Sequence, residues 1–349
     1  LKNKITIIKN IAERKARRKI KRNKAFRRRR SVHRKTGNKS KLLDNFYDFE
    51  KNVILKKPCE EFTLLDNTEE VISYLQELKS YKSKSSDVDK IIVDLRGIKK
   101  IDIGAICILL SVVEELSLSN IEIEGNFPED EACKKIFKES GFLAHMKNLT
   151  GNKFAPPENK NLIIKQGRGT TKNREIGIAV KEAMEKITGT PSHYHPVYSI
   201  IQEINGNAVE HAYSENEHWL FAFNYNPVTN RVIFTFADNG YGILKTLKKK
   251  FSQQIADEFK NRSDSEILLR AFNKKYSSRH VDQGNRNKGL PLLNKIQRQK
   301  EVKNLIVITN KVSLHLEKGS VRDLNSYFSG TFYYWELDAE CIENGRKSN

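Results

Sequence analysis

The stretch SIIQEINGNAVEHA, Ser199 to Ala212, decides how the chain is read. Ile200, Ile201, Ile204, Ala208 and Val209 recur at helical spacing and predict one amphipathic helix. Glu203, Asn207 and His211 are each four residues apart, so they stack along one stripe of it. A carboxylate and a carboxamide one turn apart suit a magnesium–nucleotide site. The amide oxygen is a hard metal ligand, and the carboxylate can orient or deprotonate an attacking group. A solvated polar stripe on an ordinary helix has the same spacing, so the rest of the chain must decide.

Downstream, Trp219–Tyr225 and Arg231–Ala237 predict two strands joined by a turn at Asn226–Asn230. Asp238-Asn239-Gly240-Tyr241-Gly242-Ile243 follows directly. Two glycines at that spacing let backbone approach a flat ligand closely, although the same spacing also marks ordinary turns. A polar stretch from Lys245 to Asn287 holds two helical segments, 252–260 and 263–275. Gly284 and Gly289 then bracket Asn285, Arg286, Asn287 and Lys288, and Pro291–Gln299 reads as a helix. Backbone amides at a helix start, with cations beside them, suit phosphates; a basic surface loop before a helix reads the same way. Three strand-like segments close the chain: Asn304–Thr309, Val312–Leu316 and Gly330–Leu337, the last introduced by Ser329-Gly330-Thr331.

Upstream of the helix, Lys172–Ile187 predicts another, closed by Gly189 and Pro191. His193 and His195 fall in PSHYHP, a turn-like context. Residues 151–171 carry Gly and Pro punctuation and read as a linker. Residues 42–150 predict a small α/β domain. Its buried strand is Lys90–Leu95, followed by an apolar helix Gly104–Leu116, a short strand Ile121–Glu124, and a helix Glu129–Ser140 ending at Gly141. Asp102 stands where it would cap the apolar helix.

The 349 residues are 38% hydrophobic and 30% charged, with a net charge of +20. That charge is unevenly placed. Residues 1–41 hold 19 of the 63 Lys and Arg and one of the 43 acids, so the remainder is within two charges of neutral. Such an arm is expected to be disordered or helical and to meet phosphates of nucleic acid or of an anionic surface. The longest apolar stretch, Ile101–Val113, is broken by Asp102 and too short to span a bilayer. Four scattered cysteines form no CxxC, which excludes a zinc ribbon or disulfide framework as the organising device. No secretory segment is evident, and a cytoplasmic location is expected.

Two resemblances follow from these motifs. Glu203-x-x-x-Asn207-Ala208 on a helix, Asp238-x-Gly240-x-Gly242 after a strand, Gly289-Leu290 opening a helix and Gly330-Thr331 leading a late strand together resemble the GHKL ATP-binding domains. That superfamily includes gyrase-like, chaperone, histidine-kinase and anti-sigma-kinase ATPases. The resemblance covers about residues 172–338. It implies ATP and Mg2+ as cofactors, with Asn207 as magnesium ligand and Glu203 as the base activating water or an acceptor hydroxyl. It implies Asp238 as acceptor for the adenine amino group. Gly240 and Gly242 would pass close to the base, Lys288, Gly289 and Leu290 would lie at the phosphates, and Thr331 would complete the adenine pocket. His211 is read as a packing or orienting residue. The phosphate loop is poorer in glycine than is usual in the group, and Pro291 stands where a small residue is common. Binding is therefore expected more firmly than turnover.

IIVDLRGIKKIDIGAICILL, around Asp102, resembles the STAS (anti-anti-sigma-factor-like) domain. In partner-switching members a hydroxyl residue beside that Asp is phosphorylated. Ile103 and Gly104 stand there instead, so this part is expected to dock a partner or dimerise. The expected fold class is α/β (α+β): a STAS-like α/β domain followed by a Bergerat-type α/β sandwich with a mixed sheet. The expected divisions are an arm 1–41, the STAS-like domain 42–150, a linker 151–171, the ATP-binding domain 172–340 and a tail 341–349. The expected function is a magnesium-dependent ATP-binding protein with slow ATPase or protein-serine/threonine-kinase-like activity, regulating a protein partner through the STAS-like part. The alternative is a nucleotide-gated module that binds nucleic acid or protein with little catalysis. A homodimer is compatible with either.

Overall fold

The computed structural model describes residues 52–82, 88–146, 152–157, 162–167, 173–210, 218–250, 260–273 and 289–347. The basic arm, His211, Lys288 and most of the expected helix 252–260 lie outside them. The first half runs β1 (Val53–Lys56), β2 (Glu61–Phe62), α1 (Thr68–Ser80), β3 (Lys90–Val93), β4 (Lys100–Ile101), α2 (Ile103–Leu118), β5 (Glu122–Gly125) and α3 (Glu131–Glu139), then a 3-10 turn at Phe142–His145. The second half runs β6 (Leu162–Gly167), α4 (Asn173–Thr188), α5 (His195–Glu210), β7 (Trp219–Asn226), β8 (Arg231–Asp238) and α6 (Ile243–Lys250). It closes with α7 (Asp264–Phe272), α8 (Gly289–Arg298), β9 (Lys303–His315), β10 (Ser320–Leu337) and α9 (Ala339–Lys347).

The fold is mixed α/β. In the first half β3 and β5 pair in parallel within the order β1-β3-β5, and β2 pairs in parallel with β4. The second half holds one five-stranded sheet in the order β6-β7-β8-β10-β9. Its pairings are antiparallel throughout, where a mixed sheet was expected; strand direction varies between the sheets rather than within this one.

Period-2 alternation explains the two faces of the large sheet. Trp219, Phe221 and Phe223 on β7, Phe234 and Phe236 on β8, and Tyr333 and Trp335 on β10 share one face and are all buried. Trp219 stacks on Phe236 at 5.7 Å between centroids, and Phe234 on Trp335 at 5.4 Å. Ile176 and Val180 of α4, Ile200, Ile201 and Ile204 of α5, Leu268 of α7 and Leu293 of α8 cover this aromatic layer.

The other face carries Leu220, Ala222, Thr235, Ala237, Phe332 and Tyr334, also buried. Helix α2, from the first half of the chain, covers it. The capping expectation for Asp102 holds: its Oδ1 accepts from Ala105 N–H at 2.7 Å. Gly104 lets the helix approach closely, since a Cβ there would sit 2.8 Å from Cζ of Phe332. One turn on, Cys107 Sγ lies 3.7 Å from Thr235 Oγ1. Another turn on, Ser111 Oγ lies 3.0 Å from His218 Nε2. Helix α1 adds contacts to β10. Lys79 donates to Ser329 Oγ at 3.0 Å, and Glu69 accepts from Asn325 N–H at 2.9 Å. The two halves thus meet within one chain, and residues 55–349 gather into one compact unit. Each large side chain buried at this seam contributes about 1.5–3 kcal/mol, so the halves stabilise one another.

Several expected boundaries move. Residues 162–167, read as linker, form β6, the edge strand against β7. Residues 339–347, read partly as tail, form α9, which buries Cys341 and Ile342. Helix α5 begins at His195 rather than Ser199; Pro196, in its first turn, costs no hydrogen bond there. The segments 304–309 and 312–316 are one strand, β9, and β10 begins ten residues before Gly330.

Candidate functional site

Helix α5 fixes Glu203 and Asn207 by burying the face beside them: Ile200, Ile201 and Ile204 are at most 1% exposed. Both polar side chains are half-buried. Gly289, the first residue of α8, sits against them. A Cβ at Gly289 would lie 3.1 Å from Glu203 Oε2 and 3.4 Å from Asn207 Nδ2. The N-terminal turn of a helix presents unpaired N–H groups and a partial positive charge. Here that end meets a carboxylate and an amide on a neighbouring helix. Pro291, in the same turn, lacks an N–H that would have had no partner within the helix. Leu290 packs on the core behind this turn.

A second cluster lies on the same face of the sheet. Asp238 ends β8, opposite Trp219 on β7 and Thr331 on β10, and Thr331 in turn faces Thr309 on β9. This row closes the aromatic layer: the next row inward is Phe221, Phe236, Tyr333 and Val307. Burial and the nearby Asp238 carboxylate both push the Tyr333 phenol well above its ordinary range, so it stays neutral. Asp238 Oδ1 accepts from Gly240 N–H at 2.9 Å and shapes the loop after the strand. Gly330 makes room for that loop. Its φ is +107°, and a Cβ there would meet the Asp238 carbonyl oxygen at 2.0 Å.

The loop 238–242 is clamped by residues that sequence reasoning missed. Gly242 has φ +81°, and a Cβ there would lie 2.6 Å from Asn310 Nδ2 and 2.7 Å from Thr309 Oγ1. Thr309 Oγ1 accepts from Ile243 N–H at 2.9 Å, and Asn310 Oδ1 from Leu244 N–H at 3.0 Å. Asn310 Nδ2 donates to the Tyr241 carbonyl at 2.8 Å and to Tyr327 OH at 2.9 Å. The start of α6 is therefore satisfied by a neighbouring strand. The available signal was the polar Thr309-Asn310 break in an apolar run, which reads equally well as a turn.

The loop also touches the seam between the halves. His218 donates its backbone N–H to Asn239 Oδ1 at 2.7 Å, while its ring reaches Ser111 on α2. Glu114 Oε2 lies 3.7 Å from the same ring nitrogen. At the other end of α2, Ile103 and Gly104 are buried, so the residues directly after Asp102 face inward.

Of the residues expected at the site, Glu203, Asn207 and Gly289 come together, and so do Asp238, Gly240, Gly242 and Thr331. Lys288 lies outside the described residues. Among those described, no cluster of three or more His, Cys, Asp or Glu could hold a metal ion, and no helix is long and apolar enough to cross a membrane. Asn207 and Glu203 supply the side-chain oxygens of this cluster, the donor type that a hard cation takes. Gly289 packs directly against both, so backbone at the start of α8 stands beside these oxygens, the kinds of group that a magnesium–phosphate would need. Comparison with protein-family models and with curated protein sequences finds no match.

Proposed function

We propose that the chain binds Mg–ATP as the GHKL proteins do, and that it hydrolyses the nucleotide slowly or transfers its γ-phosphoryl group to a protein hydroxyl. The observation that carries this reading is the seating of Gly289, at the start of α8, against Glu203 and Asn207. The helix start offers amides to phosphate oxygens. Asn207 offers an amide oxygen to magnesium, which when bound neutralises charge on the phosphates. Glu203 takes the proton from the attacking water or hydroxyl. Asp238 accepts from the exocyclic amine of adenine, and Gly240, Gly242 and Thr331 shape the pocket around the base.

Calorimetric titration of ATP with and without magnesium, on wild type and Asn207→Ala, tests the binding. Magnesium-dependent binding lost in the variant supports it, and no binding to wild type removes it. Glu203→Ala should bind ATP while releasing phosphate at least about a hundredfold more slowly, the range of a positioned base.

A second reading is supported by the burial of Ile103 and Gly104. With no acceptor hydroxyl at that loop, ATP serves better to change how the chain binds a partner. The basic arm would hold nucleic acid and the STAS-like half a protein. Removal of residues 1–41 should then abolish a steeply salt-dependent affinity for DNA or RNA. A flat salt response counts against it.

A further inference from the structure

The STAS-like half contains a pocket of about 490 Å³ that the nucleotide reading does not use. Leu95, Leu109, Val113, Phe137 and Phe142 wall it, between the β3–β5 pair, α2, α3 and the 3-10 turn. Phe154, 36% exposed, stands at its rim. Two polar residues reach the lining, and the described structure engages both. Glu124 pairs with Lys90. Asn126 accepts from Leu95 N–H at 2.7 Å and donates to Asp94 Oδ1 at 2.7 Å. Asp94 is itself bound by the Arg96 guanidinium at 2.8 Å through both oxygens.

These facts specify an occupant. The volume falls within the range of small-molecule pockets, about 300–1,000 Å³. An apolar cavity of about 150 Å³ already stays dry and takes up benzene, and this one is roughly three times larger. The described lining holds no cationic side chain, and Glu124 and Asn126 are engaged, so an anion would lose its hydration without gaining a partner. We propose that this pocket binds an uncharged apolar small molecule, of about the size of a medium-chain alcohol or a two-ring aromatic. Its place on α2 gives binding a consequence. Leu109 and Val113 line the pocket, while Gly104, Cys107 and Ser111, on the opposite side of the same helix, meet the large sheet. An occupant therefore bears on the helix that carries Ser111 to His218.

The test is titration of the full chain with prodan, a neutral naphthalene whose emission reports polarity, with 1-decanol and decanoate as competitors. The expected result is saturable one-to-one binding with blue-shifted emission, displaced by 1-decanol at least about tenfold more effectively than by decanoate. Leu143→Trp fills the pocket from a half-buried position and should weaken prodan at least about tenfold with an unchanged circular dichroism spectrum. Val113→Phe, from the α2 side, should do the same and serves if the first variant does not fold. Absence of saturable binding overturns the proposal, and so does equal binding by wild type and the filled variants. Equal competition by decanoate overturns the uncharged class. A dimer in sedimentation that the filled variants lose would assign the pocket to a second copy of the chain and overturn a small-molecule occupant.

Discussion

The Ser111 hydroxyl on α2 lies 3.0 Å from Nε2 of His218, a buried ring whose own backbone N–H donates to Asn239 in the loop 238–242. One residue therefore touches both the seam between the halves and the loop that carries Asp238. Replacing either partner removes the bond, with Glu114 Oε2 still 3.7 Å from the ring nitrogen, so each single change should cost about 1 kcal/mol and removing both less than the sum. Ser111→Ala, His218→Leu and the double variant should accordingly show a coupling of about 1 kcal/mol in urea unfolding. Additive losses would mean that the two side chains are neighbours without an energetic bond.

Gly289→Ala separates folding from binding. Gly289 opens its helix, where the interior preference for alanine of about 1 kcal/mol does not apply in full, so the variant should stay within about 1 kcal/mol of wild type in urea unfolding. Its Cβ would crowd the Glu203 carboxylate, 3.1 Å away, and displace it from the helix start. ATP affinity should fall at least about tenfold. Lower stability together with unchanged affinity would place Gly289 in the packing and not at a phosphate site.

Much of this arrangement was legible in the sequence, and the failures share a cause. The runs Trp219–Tyr225 and Arg231–Ala237 are apolar almost throughout, and they read as strands, because each face is buried by a different layer. Helix α2 is apolar on nearly every side, and such a helix has to be covered on every side. That pattern already implied a cover beyond its own small sheet, although not that β7, β8 and β10 provide it. The sequence Leu162–Gly167 is strand-like only once β7 lies beside it, and the Gly and Pro residues around it read as linker. Helix α6, ILKTLKKK, carries few apolar residues. Its start is satisfied by Thr309 and Asn310, some 66 residues away along the chain, which local spacing cannot reveal. At the site, Glu203 and Asn207 follow from helical period alone. The neighbours of Gly242 required the fold.

Gly242 and Gly189 have nearly the same backbone, φ +81° and +77°, in different surroundings. Nothing lies within 4 Å of a Cβ built at Gly189, whereas one at Gly242 would strike Asn310 and Thr309. Gly189→Ala should cost about 1–2 kcal/mol, the left-handed conformation alone. Gly242→Ala should cost more by at least about 1 kcal/mol, because the side chains that cap α6 must also move. Equal melting temperatures for the two variants would show that the clamp on the loop yields freely.

Asp102 ties stability to pH through the capping of α2. Burial pushes its carboxyl up to about 6, although Leu64, Leu65 and Ala105 N–H groups all favour the anion. A carboxyl whose folded pKa lies above its unfolded value near 4 binds more protons when folded, so its contribution falls as pH rises between about 4 and 6. Asp94 acts in the opposite sense. The Arg96 guanidinium holds it well below the usual carboxylate range, so its contribution is present above about 4 and lost in acid. Asp102→Asn keeps an oxygen for the helix cap and removes the titration. Urea unfolding at pH 4 and pH 6.5 should therefore show wild type losing about 2–3 kcal/mol relative to Asp102→Asn, the equivalent of about two pK units. If both proteins follow one pH profile, the carboxyl titrates alike in the folded and unfolded chain, and its three backbone donors offset its burial.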